Sequence, residues 1–269
     1  MTAKQIVARV RLLDVVATML LACILAGSAC ARQADLGSIG DGPASVLWRG
    51  TFEPGNLSEW TGDGEGDAYT PNGGDGPLAT LAMAHGGRYG GQFTIAPKAS
   101  MMSTSYLYRN QPSPPQGYYS AWFYVPSTII VGSWLSLTHF SGSKTGDGKN
   151  LFAIWDVNLY PLPGGGLAAQ LYDYLGTGYN ERQTIPVPFP LDTWVQLEVY
   201  LSKAVGPTGE VTVWQDGVQI LQRLNIQTVT NDWTQWDAGG AADASTLPSP
   251  AFVYMDDAAI SLVRVGPGS

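Results

Sequence analysis

The chain has 269 residues, 45% of them hydrophobic and 13% charged, with a net charge of −8. So few bases exclude the basic stripe that displaces counterions from nucleic acid, and the negative field points away from dense polyanions toward neutral substrates. Two cysteines, Cys23 and Cys30, leave the rest of the chain without a cysteine metal site or an internal disulfide.

In chain order, Lys4, Arg9 and Arg11 precede a short apolar run, Val15 to Leu25, and then Gly27-Ser28-Ala29-Cys30. A run this short reads as a signal-peptide core, since a membrane span needs about 20 apolar residues. Small residues before a cysteine suit a lipoprotein cleavage site, with Cys30 as the lipidated residue and Cys23 as the other candidate; cleavage after Ala29-Cys30-Ala31 is the simpler alternative. A diacyl anchor holds stably to a membrane. Residues 31–45 are small, polar and glycine-rich, as in a flexible tether. Residues 46–269 then form one domain, whose charge without the first thirty residues is about −10.

Within that domain, alternation with a period of two recurs between Gly, Pro, Asn and Asp clusters. It predicts strands over 48–53, 78–84, 91–97, 101–109, 117–125, 133–140, 151–160, 167–175, 193–201, 210–215, 218–223 and 252–263. Asp216-Gly217 predicts a two-residue hairpin. A dozen strands without helices predict an all-β, two-sheet antiparallel sandwich whose first and last strands meet. Loops are expected at 62–76 and 236–250.

Alternation also sorts the faces. Val195, Leu197, Val199 and Leu201 read as core. Along 151–160, Phe152, Ile154, Asp156, Asn158 and Tyr160 share one side; along 167–175, Gln170, Tyr172 and Tyr174 do. If these strands pair, their polar and aromatic groups make a patch suited to sugars, ring faces for stacking and amides for hydroxyls. A solvated outer face is the plainer reading. On 133–140, strict alternation groups His139 with Leu135 and Leu137, opposite Trp134, Ser136, Thr138 and Phe140, which leaves the core side undecided.

Three stretches carry a resemblance. Tyr118-Tyr119-Ser120-Ala121-Trp122-Phe123-Tyr124-Val125-Pro126 is one, and the strand from Trp194 through Glu198 to Tyr200, followed by Gly209 to Gly217, is the second. The closing Asp256-Asp257-Ala258-Ala259-Ile260 is the third. In this order they resemble the concanavalin A-like lectin/glucanase superfamily, and most of all its bacterial polysaccharide-lyase-like branch, the heparin-lyase and glucuronan-lyase relatives. The resemblance spans about 48–263.

It implies a jelly roll that handles polysaccharide, and for a lyase the removal of an acidic C5 proton beside a neutralised uronate. His139, Tyr172, Gln170 and Arg109 are the catalytic candidates it selects, with Asp156, Asn158, Tyr160 and Tyr174 as substrate-binding candidates; a packed His139 without chemistry is the alternative. The Arg-x-Glu pattern common in such lyases is missing at Arg109, and the glucanase carboxylate string is absent. Glu198 with Asp156 is the one carboxyl pair left for glycosidase chemistry. In related carbohydrate-binding modules an early Phe-Glu and a late Asp-Asp share a structural Ca²⁺, which makes Glu53, Asp256 and Asp257 metal candidates. Three functions are thus expected in order: an exported cell-surface polysaccharide-binding protein, a polysaccharide lyase, or a structural or adhesion lipoprotein. The expected partner is polysaccharide, with no nucleic acid and a membrane contact only through the N-terminal lipid.

Overall fold

The computed structural model describes residues 45–71, 75–96, 101–176 and 178–268. The described residues lie in a unit running from Pro43 to Ser269. The signal-peptide, lipidation and tether expectations (residues 1–30, Cys30 and 31–45) fall outside the described residues, save Ser45.

Sixteen strands and one short helix make up the unit. They are β1 (Val46–Gly50), α1 (Ser58–Thr61), β2 (Gly66–Tyr69), β3 (Leu78–Thr80), β4 (Gly90–Ile95), β5 (Ser103–Arg109), β6 (Gln116–Tyr124), β7 (Leu135–Ser143) and β8 (Leu151–Pro161). The chain continues through β9 (Leu167–Asp173), β10 (Tyr179–Arg182), β11 (Pro188–Phe189), β12 (Trp194–Ser202), β13 (Gly209–Gln215), β14 (Val218–Ile226), β15 (Thr234–Ala242) and β16 (Ala251–Ser261). Sheet A has the order β14-β13-β12-β6-β16-β4-β3, with β1 also on β16; sheet B has β10-β9-β8-β7-β15-β5-β2, with β11 on β9. All pairings are antiparallel. The first and last strands pair as expected, Val46 opposite Ser261.

Alternating apolar residues close the space between the sheets. Val195, Leu197, Val199 and Leu201 from sheet A are buried there, as are Leu135, Leu137, Val157 and Leu159 from sheet B. Each such side chain contributes about 1.5–3 kcal/mol by leaving water. Asp216 and Gly217 both take positive φ, 48° and 78°, as the tight β13–β14 hairpin requires.

One long element was not expected. Residues 234–242, placed partly in a loop by the sequence, form β15 at the centre of sheet B between β7 and β5. Every residue of it is buried. Its sequence, TQWDAGGAA, shows no apolar alternation because sheet A comes close here. A Cβ on Gly239 would stand 2.5 Å from Phe93 Cδ1, and one on Gly240 would stand 2.8 Å from Ile95 Cδ1. Small residues are what this contact admits, and they look like a turn. Likewise β2 lies within the expected 62–76 loop.

Two bulges decide the faces of β7 and β8. Ser136 opposes Asn158, but Thr138 opposes Val157, so Leu137 is extra on β7; Phe140 opposes Trp155, but Ser141 opposes Ala153, so Ile154 is extra on β8. A bulged residue shifts the in–out alternation beyond it. Leu137 stays in the core, and Thr138 also turns inward, where its Oγ1 accepts from Trp236 Nε1 at 2.7 Å. His139 then points outward from the sandwich. Ile154, grouped by alternation with Asp156, is instead fully buried beside Trp155.

Candidate active site

The groove lies on the outer face of sheet B. Three adjoining cavities compose it, of about 560, 450 and 310 Å³. The middle one shares Tyr69, Leu151 and Gln235 with one neighbour and Trp134, Asp156 and Tyr174 with the other. The trench therefore crosses the sheet from β2 to β10.

At its centre, register brings three strands together. His139 on β7 is opposite Asp156 on β8 and Asp237 on β15. His139 Nε2 is 3.2 Å from Asp237 Oδ2 and 3.0 Å from Ser141 Oγ. Nδ1 is 3.8 Å from Asp156 Oδ1. Gln235 Nε2 donates to Asp237 Oδ1 at 2.8 Å, and the Tyr174 hydroxyl donates to Asp156 Oδ2 at 2.8 Å. Tyr106 meets the imidazole edge-on, with ring centroids 5.0 Å apart. A carboxylate at Nε2 favours the tautomer with its proton there, which leaves the Nδ1 lone pair free.

Burial controls the charges. It pushes His139 below the ordinary histidine value, against the pull of Asp156, so the ring is neutral at pH 7. It raises Asp156, despite His139 and the Tyr174 hydroxyl, and pushes Asp237 up to about 7 despite its bonds from Gln235 and Ser141. Tyr174 and Tyr106 are raised by the same desolvation and keep their protons.

These shifts set a pH dependence. From about pH 4 to 7 the unfolded chain has released the Asp237 proton that the folded chain keeps, so stability falls as pH rises and levels off above 7. Asp256, also pushed to about 7 by burial, acts in the same direction. His139 opposes them, because below about pH 6.5 the unfolded chain takes up a proton that the buried ring resists. Asp237→Asn is expected to flatten the decline between about pH 4 and 7, read from urea midpoints across that range. An unchanged slope would mean that Asp237 ionises in the fold as it does in water.

The other sequence candidates divide. β8 and β9 pair so that Asp156 faces Tyr172 and Asn158 faces Gln170. Asn158, Gln170, Tyr172 and Tyr174 line the smallest cavity with Asn180 and Arg182, which the sequence reading missed. Arg182 Nε donates to Gln170 Oε1 at 3.0 Å, and its guanidinium lies 4.3 Å over the Tyr160 ring. Tyr160 is thereby only 4% exposed and supports Arg182 from below, where direct sugar contact was expected.

Arg109 is not in the groove. It alternates with Leu107 into the sandwich, while Thr104, Tyr106 and Tyr108 line the groove side. Its guanidinium grips Asp63 with two 2.7 Å bonds, donates to Trp60 O at 2.8 Å and Gln111 O at 2.9 Å, and stacks on Trp48. The bidentate contact holds Asp63 near 2. Arg109→Ala is expected to cost about 2–4 kcal/mol of stability by leaving these acceptors unpaired. It should leave the turnover of the folded fraction unchanged; thermal melts and active-site titration check both halves. The glycosidase pair fails too, since Glu198 lies on sheet A, bound by Arg264 Nε and Val265 N.

The calcium candidates do come together, but as acceptors for backbone N–H groups. Glu53 Oε1 accepts from Arg88 N and Tyr89 N, Asp256 Oδ2 from His85 N and Gly86 N, and Asp257 Oδ2 lies 2.7 Å from His85 Nδ1. Among the described residues no group of three or more His, Cys, Asp or Glu is placed to hold a metal ion. These bonds tie the loop after β3 to β16 through Asp256 and Asp257, and to the segment after β1 through Glu53.

No protein-family model matches the chain. No curated protein matches it. Solved structures do. The endo-β-1,4-glucuronan lyase of the fungus Trichoderma reesei superposes with a TM-score of 0.62 at 14% identity, over 81% of this chain and 96% of its own. The cellulose-induced protein Cip1 follows at 0.57 and 15%, over 82% and 99%. A marine alginate lyase from Aplysia kurodai gives 0.55 and 12%, over 80% and 98%. The fold is a concanavalin A-like jelly roll. At such identities the likeness reaches no further than that fold, and the chemistry of this jelly roll has to be argued from its own groove.

Proposed function

We propose that the groove binds a uronate-containing polysaccharide and cleaves it by β-elimination. The observation that carries this is His139, set 3.2 Å from Asp237 and 3.8 Å from Asp156 at the floor of an open trench. The neighbouring lyase folds support the reading.

Each step has a residue. Asn158, Gln170, Asn180 and Arg182 converge on one cavity and can neutralise a uronate carboxylate, which acidifies C5. His139 Nδ1 takes the C5 proton, and Asp237 stabilises the imidazolium that forms. As the C4–O bond breaks and the C4=C5 bond forms, the leaving oxygen takes the Tyr174 proton. Asp156, which accepts from that hydroxyl, holds it in place, and solvent returns the proton. Tyr69, Trp134 and Trp233 offer ring faces along the trench.

Polysaccharide binding without chemistry is the second reading, favoured by the acids that share the floor. In the adhesion reading, residues 236–242 of one presented loop are part of the buried strand β15. Export and lipidation at Cys30 complete the proposal and place the jelly roll at a bacterial cell envelope; Cys30→Ser is expected to move the protein out of the membrane fraction.

The test is ultraviolet absorbance of unsaturated product from a panel of uronate polymers. Product that requires His139 supports the lyase. No product with retained glycan affinity leaves a binding protein.

A further inference from the structure

Charge is unevenly distributed along the trench. Among its described lining residues the acids are Glu65, Asp147, Asp156 and Asp237, and the one Lys or Arg is Arg182, at the β10 end. Arg182 has no carboxylate partner among the described residues; its Nε is on Gln170 and its planar face on Tyr160. Beside it, Asn158 Oδ1 and Asn180 Oδ1 are buried without a hydrogen-bond partner, and Asn158 is only 4% exposed. Both atoms are amide oxygens, so what they await is a donor, such as a sugar hydroxyl. At the opposite end, Lys149 lies 3.9 Å from Asp147 with its side chain 79% exposed, and it does not line the trench.

A homopolymer of uronates carries a carboxylate on every ring. Threaded through this trench, it would set one against Arg182 and others beside Glu65 and Asp147, with no lining Lys or Arg to receive them. Like charges close together in a partly desolvated groove repel strongly. We infer that the preferred substrate alternates a uronate with uncharged sugars, its carboxylate seated against Arg182 and its neutral rings over the acidic end. This rests on the groove being the glycan site.

Binding tests it separately from catalysis. The full-length chain carrying His139→Ala, or His139→Gln should the first fold poorly, is titrated calorimetrically with two sets of oligosaccharides. One is a homopolyuronate; the other has a uronate–neutral disaccharide repeat. The alternating set is expected to bind about tenfold tighter or more. Arg182→Gln should weaken it about 30-fold, and the pair Glu65→Gln and Asp147→Asn should improve homopolyuronate binding. Equal or tighter binding of the homopolymer, or an unmoved affinity in Arg182→Gln, overturns the inference, as does failure to bind either set. If the order of affinities holds while wild type releases no unsaturated product, the lyase reading falls and the inference stands. If wild type cleaves both polymers with equal affinity, the reverse is true.

Discussion

Replacing His139 with alanine is expected to lower the turnover of uronate polymer by about 10²–10⁴-fold, the range general base catalysis supplies, with glycan affinity little changed. The ring sits at the trench floor with its side chain 13% exposed, so its loss opens space toward the groove and leaves the core intact. A structural histidine would show the opposite pattern, a lower melting temperature and unchanged turnover. The pH profile of wild type adds a second readout. His139 is held below the ordinary histidine value and stays neutral, but Asp237, pushed up to about 7, has to be ionised to stabilise the imidazolium, so kcat/KM should fall as pH drops through about 7. A profile flat through pH 7 would remove Asp237 from that role.

Gly239→Ala is the second large effect. Gly239 takes φ = 142°, a backbone region that side chains avoid, and its Cβ position lies 2.5 Å from both Phe93 Cδ1 and Ser105 O. The first cost is about 1–3 kcal/mol of backbone strain. The second is overpacking of comparable size, against a carbonyl that cannot yield without breaking the β5–β15 pairing. A loss of about 3–5 kcal/mol is expected in urea unfolding, with activity falling as Asp237, two residues away, is displaced. Gly64→Ala is the control, because Gly64 has φ = 79° and nothing within 4 Å of its Cβ position. Equal losses in the two variants would mean that close contact between the sheets plays no part.

The sandwich was legible because most strands bury one face, and a half-buried strand writes its burial as alternation. The β8–β9 patch was legible for the same reason: no bulge interrupts the residues from Asp156 to Tyr160. What escaped were places where that code is suspended. β15 is buried on both sides and carries small residues where the sheets approach, so Asp237 fell in the expected 236–250 loop and Gln235 in no expected strand. Tyr106 could have been found, since it alternates with Leu107; the same parity places Arg109 inside, against the family resemblance. His139 was found as a residue but not as a direction, because the bulge at Leu137 has no signature in composition.

Those two bulges offset each other. Leu135 opposes Leu159 at one end and Ser143 opposes Leu151 at the other, and a pair without bulges would join the same ends with the same number of residues. In that flat pair, however, Phe140 and Ile154 would line the trench while His139 and Ser141 turned inward. Two proteins can therefore agree in strand order, strand length and terminal pairing, one holding an imidazole over its substrate and the other a greasy floor. Superposition of backbones does not separate them. For jelly rolls of this kind, competence is inherited residue by residue through the pairing, and can be lost or gained while the architecture stays the same.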